Sequence, residues 1–530
     1  MKKFLSAFLA VLMILTAVFV MVSCNDPVDP DPGKDPGTGS TPNTPNTPNT
    51  PGDDDDNKTD SNERIPLDYL PTDGYNNAKF HILEWSCNGV DEVGVSWIPW
   101  EEGDVEADDG DRLGQAVYDR NAWVEETFGV EITKEYVSID GAPSYQTRIR
   151  NDATTSGNEF QLFTMRTVEI LWMIEEDLFA DMNNYMEYIH FDEPWWVEDS
   201  VDSFKLGSHQ YVASSEMLLR DKGATAALFF NQDLHGDFVD DLPNFFDLAS
   251  DGVWTIEEMI AACEIVAHSD DDNDLMDSTS DVWGCFGQDD PLYFLFNGFG
   301  YKFAHVDKYG YIDYDFADEE TAEGQGSVKV MQEIFEDVMY APWYMNSYLN
   351  KGDILADNQD LFVDGQSLFK SGMVKDATNS LKYMTQKYGI LPHPKYTVDQ
   401  EEYSSLVWVH HDSIVGIPSH AANKSMCAVI LEALSWESYY SVYPVFYDTI
   451  LLSRAAKDTE SKEMLEIIFD TRSYDPGQYW DSNSGFHGEK GLLRLSASGS
   501  SDIAHVWGEL KESVDKNITQ VNNWISGMED

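Results

Sequence analysis

Gly207-Ser-His-Gln-Tyr-Val-Ala-Ser-Ser-Glu-Met-Leu-Leu-Arg-Asp-Lys-Gly223, continued by Ala224-Thr-Ala-Ala-Leu-Phe-Phe-Asn-Gln-Asp-Leu234, is the stretch on which the fold turns. Tyr211, Val212 and the run Ala226 to Phe230 have the aromatic and branched character of buried strand. Between them stand Ser214, Ser215 and Glu216, polar groups that suit a hinge or the floor of a cleft. Two apolar segments joined through a polar middle, near the centre of a long chain, predict a crossing between two lobes.

The 530 residues exceed what one core usually organises, and the length predicts two or three domains. Acidic side chains number 96 against 33 basic ones, a net charge of −63. Such a surface repels phosphate backbones and excludes nucleic acid as a partner. Hydrophobic content of 42% is ordinary, so the acid coats a normal core.

Residues 1–24 read as a bacterial lipoprotein signal. Lys2 and Lys3 open it, Phe4 to Val22 is apolar, and the small Ser23 precedes Cys24. The pattern resembles a lipobox, with Met21 where Leu is usual. Cys24 is thus the expected lipidation site, which anchors the chain to the outer face of a cell membrane. Residues 25–64 read as a tether: Asp-Pro alternation, the Thr-Pro-Asn repeat of Thr41 to Thr50, and Asp53 to Asp56 cannot bury apolar surface. Proline and charge repulsion extend it at roughly 3 Å per residue. The four remaining cysteines, Cys87, Cys263, Cys285 and Cys427, fit no zinc or redox spacing. They read as buried free thiols, with disulfide pairing left open for an exported chain.

In the body, Phe80 to Trp85 predicts a strand, and Leu113, Val117, Val124 and Phe128 a helix ending at Gly129. Val130 to Val137 and Phe160 to Thr164 predict two more strands, with a helix near Tyr145 between them. The alternation indicates a wound α/β domain, whose ligands sit beyond the carboxyl ends of strands. That places interest on Trp85 to Cys87 and Thr164 to Thr167. Further on, Thr255 and Glu258 predict a capping box. Val328, Met331, Ile334, Phe335 and Val338 predict an amphipathic helix, and Ser413 to Pro418 a second crossing. Met426, Val429, Ile430, Ala433 and Leu434 share one helix face, as do Val506, Leu510, Val514, Val521 and Trp524 near the end.

The order of several pieces resembles the family 1 extracellular solute-binding proteins, lipoprotein receptors of carbohydrate importers. The pieces are Ala116-Val-Tyr-Asp-Arg-Asn121, Asp181 after Leu178-Phe179, Pro194-Trp-Trp196 and Phe230-Asn-Gln-Asp-Leu234. They continue with Trp254-Thr255, Tyr388-Gly-Ile-Leu-Pro392, Gly416-Ile-Pro418 and Lys457-Asp-Thr-Glu-Ser461. The resemblance implies a type II periplasmic-binding-protein fold, two α/β lobes joined by a hinge with a ligand cleft between them. Lobe 1 would comprise residues 65–218 and 410–455, lobe 2 residues 219–409 and 456–530. It further implies a monomer that shuts on a carbohydrate, expected to be an oligosaccharide, and docks on the permease subunits of an ABC transporter.

A glycan site should mix indole or phenol faces with hydroxyl-binding groups. Position selects Met165 and Arg166 after the third strand, Glu216 in the first crossing, and Trp408 and Asp412 beside the second. Phe296, Asn297 and Phe299 lie in a Gly-rich aromatic segment, Tyr479 and Trp480 in another. Arg166 could equally form a surface ion pair, and Trp195 and Trp196 read as packing beneath the crossing. Asp270, Asp272, Asp274 and Asp281 are spaced like a calcium loop, with Leu275 where the turn wants Gly; a solvated acidic turn is the plainer reading. No other cofactor is implied. His410 and His411 adjoin, point apart on a strand, and make a poor metal pair. Nucleophile-elbow, zinc-protease and phosphate-loop motifs are missing, which argues against an enzyme. Paired carboxylates keep a glycan-cleaving lipoprotein as the alternative, alongside a surface glycan-binding module without a transporter.

Overall fold

A computed structural model describes residues 64–86, 112–138, 144–154, 158–270, 275–277, 279–288, 291–316, 326–347, 355, 359–452, 459–480, 492 and 502–529. Cys24, the tether up to residue 63, Cys87, Asp272 and Asp274 lie outside these residues.

Nine strands build two sheets: β1 (Ala78–Ser86), β2 (Val130–Ser138), β3 (Leu162–Met165), β4 (Ala226–Asn231), β5 (Trp283–Gly287), β6 (Tyr344–Asn346), β7 (Ser367–Met373), β8 (Tyr388–Leu391) and β9 (Ile414–Gly416). The first sheet has the order β9-β3-β1-β2 and the second β6-β5-β7-β4-β8. In the first, β1 runs parallel to β2 and β3, with Ala78 opposite Val130 and Ile82 opposite Leu162. Strand β9 enters antiparallel, Ile414 facing Met165 and Gly416 facing Phe163. In the second, β5 lies parallel to β6 and β7, whereas β4 is antiparallel to β7 and β8.

The pleat of β1 shows why the sheet is buried on both sides. Phe80 and Ile82 join one apolar cluster, Leu83 and Trp85 another, and all four are buried. Helix α1 (Arg112–Phe128) buries Leu113, Val117, Val124 and Phe128, and Gly129 ends it at φ +62°, the left-handed cap that glycine supplies without strain. Helix α2 (Lys424–Glu437) begins where the Asn423 side chain accepts the Met426 amide, and it is apolar on nearly every side because structure surrounds it. Helix α3 (Ile503–Glu529) closes the chain.

The chain leaves the first sheet through Ala213 to Thr225, builds the second, and returns through Val407 to Val415. The two connections lie side by side, bridged at Ala213–Val415 and Thr225–Val407. This is the two-lobed α/β arrangement expected from the sequence, with both sheets in one body, Arg64–Asp530. The second connection ends as strand β9, so it adds an edge to the first lobe as well as crossing.

Two local expectations change. Thr255 stands at the start of helix Ile256–Val266, but its side chain makes no capping bond. The Lys395 carbonyl instead takes the Ile256 amide at 2.9 Å, so the bridged segment at Lys395 satisfies the helix end. The helix begun at Ser327 widens to π geometry over Ile334–Met339, and the Tyr340 amide bonds the Phe335 carbonyl five residues back at 3.0 Å. The wider turn keeps Ile334, Phe335, Val338 and Met339 all buried.

One turn has no room for a side chain. Gly310 has φ +81°, and a Cβ there would sit 2.2 Å from the Gly207 amide nitrogen. Gly310→Ala should therefore cost about 2–4 kcal/mol in urea denaturation. Gly508→Ala, in the exposed run of α3 with open space around it, should instead gain up to about 1 kcal/mol. Similar shifts for both would show that the Gly207–Gly310 contact yields without cost.

Candidate functional site

The floor of the site is where the two crossings meet the carboxyl ends of β1 and β3. The Trp85 indole N–H donates to the Ser413 hydroxyl at 2.9 Å, tying β1 to the second crossing. Over its ring lie two guanidiniums, Arg220 from the first crossing at 4.4 Å and Arg166 from the end of β3 at 5.6 Å. Glu84 stands 3.7 Å from Arg220, and Glu169 2.8 Å from Arg166. Glu84, Thr164, Met217, Leu218, Leu219, Arg220 and Ser413 enclose a cavity of about 10 Å³, the space of one water. The chain beyond Trp85 enters residues 87–111, outside the described ones.

Beneath this floor runs a closed ionic network. Glu216 lies 2.7 Å from Lys222 and 3.1 Å from Arg472, which also reaches Asp221 at 3.1 Å. Ser214 and Tyr474 donate to the same Asp221 carboxylate at 2.8 and 3.4 Å. Two acids and two bases balance, and all four are buried or nearly so. Burial alone would raise the Glu216 carboxyl; Lys222 and Arg472 override it and hold the group below its ordinary range. The first crossing is thus pinned to the chain just before Tyr474.

Asp412 is fully buried and accepts from both the amide and the hydroxyl of Thr167, joining the second crossing to the turn after β3. Burial pushes its carboxyl well above the usual range, against the pull of the Thr167 amide. His411, beside it, is lowered to about 3, first by burial and then by the charges of Lys375, Arg166 and Arg220. Lys375 belongs to the turn after β7, and its Cβ lies 3.5 Å from the Cβ position of Gly223 in the first crossing. Both lobes and both crossings therefore send polar groups to one place.

The structure distributes the sequence-selected residues unevenly. Met165, Arg166, Glu216 and Asp412 belong to the junction just described. Met165 is buried opposite Ile414. Trp408 packs at 5.3 Å from Tyr293 and 5.5 Å from Phe294. Phe296 stacks among Tyr301, Phe303 and Phe316. Asn297 bridges the Ser404 and Ser473 hydroxyls, and Phe299 lies 5.2 Å from Tyr396. Tyr479 donates to the Ser203 carbonyl at 2.8 Å, with Trp480 packed on its ring. Trp408, Phe296, Phe299, Tyr479 and Trp480 are all buried in the aromatic core. Arg220, Lys375 and His411 were not selected; the signal available was basic side chains in a chain with three acids for each base.

Around the calcium-like segment, Asp281 accepts the amides of Asp270 at 3.0 Å and Asp277 at 2.9 Å, which folds the turn. Among the described residues no group of His, Cys, Asp and Glu is arranged to hold a metal. Cys263, Cys285 and Cys427 are buried free thiols. No described helix is long and apolar enough to cross a membrane.

No family model and no curated protein matches the chain. Among solved structures it is similar to the ABC substrate-binding protein Lmo0181 from Listeria monocytogenes in complex with cycloalternan, at 12% identity and TM-score 0.48, covering 85% of this chain and 99% of that one. It is also similar to an extracellular solute-binding protein family 1 from Alicyclobacillus acidocaldarius, at 9% identity and TM-score 0.47, covering 86% and 100%. A third is the galacto-N-biose/lacto-N-biose I-binding protein of a Bifidobacterium longum ABC transporter, at 11% identity and TM-score 0.49, covering 85% and 99%. At these values the likeness assigns no role to any residue here.

Proposed function

We propose that the chain is a lipid-anchored receptor on the outer face of the membrane that captures a carbohydrate by hinge closure and delivers it to an ABC import permease. One observation carries this reading: two α/β sheets are joined by paired crossings, and Arg166, Arg220 and Ser413 converge on the Trp85 indole where those crossings meet the first sheet. An indole flanked by guanidinium, carboxyl, imidazole and hydroxyl groups suits a sugar, whose C–H faces stack while its hydroxyls seek partners. The floor cavity admits one water, so a ring enters only when the lobes part. Ligand would then stabilise the closed form by its differential affinity for the two states. The sequence of residues 1–64 supports anchoring at Cys24 and a spacer that holds the body off the bilayer.

The test is to incubate the full chain with a panel of oligosaccharides, recover the glycans, and follow X-ray scattering. Capture should shrink the radius of gyration and return the glycan unchanged. Cleaved product would establish a glycan-cleaving enzyme instead, and silence across the panel would end the carbohydrate reading.

A further inference from the structure

Positive charge is scarce in this chain, 33 bases against 96 acids, yet Arg166, Arg220 and Lys375 come together from three separate segments at the crossing. Carboxylates facing them are accounted for. Glu169 bonds Arg166, Glu84 stands beside Arg220, Asp412 holds Thr167, and Asp376 caps the Met373 amide at 3.1 Å. Glu216 and Asp221 are engaged by Lys222 and Arg472. Among the described residues, Arg166 Nε and Thr164 Oγ1 are buried at the same place without a hydrogen-bond partner, the latter lining the floor cavity. A buried guanidinium N–H left unmet costs free energy that an anionic acceptor would recover.

We infer that the carbohydrate taken here is anionic, a sugar bearing carboxylate groups, with Arg166 and Lys375 contributing its charge recognition from opposite lobes. The inference rests on the carbohydrate reading above. A carboxylate and a sulfate ester can each present two acceptor oxygens to a guanidinium fork, and the sulfated trimers below tell the two apart. A cation supplied by each lobe also makes closure itself sensitive to ligand charge, because an anion is met from both sides only when the jaws shut. Neutral His411 adds an imidazole next to them, able to donate or accept toward a sugar hydroxyl.

Calorimetry on the full chain tests this with trimers of galacturonate, glucuronate and mannuronate, each beside its methyl ester, which keeps the ring and cancels the charge. Sulfated and neutral trimers complete the set. At least one free acid should bind 10-fold or more tightly than its ester, and its affinity should fall with added salt. Lys375→Gln, at a partly buried side chain, should weaken the acid 10- to 100-fold and neutral trimers by a clearly smaller factor, so that the acid-to-ester ratio falls; Arg166→Gln provides a second variant should the first misfold. Equal affinity for acid and ester would overturn the charge inference and leave sugar capture standing. Preference for the sulfated trimers would overturn the carboxylate assignment. Binding of no trimer, charged or neutral, would overturn the carbohydrate reading and this inference together.

Discussion

Arg472→Met should lower the free energy of unfolding by about 3–5 kcal/mol, measured in urea. The guanidinium lies 3.1 Å from both Glu216 and Asp221, and neither carboxylate is exposed. Methionine keeps the length and apolar stem of the side chain while removing the charge. Two buried carboxylates would then share Lys222, and the surplus anion keeps only neutral donors, the Ser214 and Tyr474 hydroxyls among them, against its desolvation. The contrast that isolates the mechanism is Arg150→Met. That arginine makes an equally short contact, 2.7 Å to Glu176, but both side chains are more than two-fifths exposed. Solvent screens such a pair, and its loss should cost below about 1 kcal/mol. Equal costs at the two sites would show that burial of the network contributes nothing. Glu216 and Asp221 lie in the first crossing, so the network ties that crossing to the segment just before Tyr474.

Periodicity exposed the strands and helices because each buries an apolar face against a sheet. The spacing of Leu113, Val117, Val124 and Phe128, stopped by Gly129, is a complete helix signal and matches Arg112–Phe128. The crossing at Ser214 to Glu216 was legible for a related reason, since polar residues interrupting two apolar runs need a special environment. What that environment holds was not legible. Glu216 meets Arg472, and Trp85 meets Arg220 and Ser413, across separations in sequence that no local pattern encodes. Aromatic richness also pointed two ways, because an indole stacks on a sugar or on a phenylalanine with similar ease. Trp408 and Trp480 are packed among other rings, whereas Trp85, inside an ordinary strand pattern, has charged groups over its face. Thr255 likewise had the right residue type for a capping bond, and the backbone of Lys395 supplied the acceptor first.

Glu432 carries the second large effect, and its sign sets it apart from the crossing network. Its carboxylate is fully buried on α2 and accepts from the Tyr69 hydroxyl at 2.8 Å and the Trp195 and Trp196 indoles at 2.9 Å each. Adjacent tryptophans thus aim both N–H groups at one acid, and Tyr69 ties residues 64–70 to the same point. Burial raises the carboxyl to about 7, against the pull of these donors. The folded chain therefore keeps a proton between pH 4.5 and 7 that the unfolded chain has released. The resulting contribution, about 3 kcal/mol, is complete below pH 4.5 and disappears as pH rises through about 7. His393 and His411, both lowered to about 3 by burial, act oppositely by losing stability as pH falls below about 6.5, so raw stability curves mix the two. A difference measurement separates them. Glu432→Gln places an amide NH2 where an indole N–H already points, and should cost about 2–4 kcal/mol at pH 5. Between pH 5 and pH 8 that cost should shrink by about 3 kcal/mol, because the wild type alone pays for ionising Glu432 while both proteins share the histidines. A gap that stays constant, or widens with pH, would mean that the carboxylate is already charged at pH 5 and that its donors outweigh its burial.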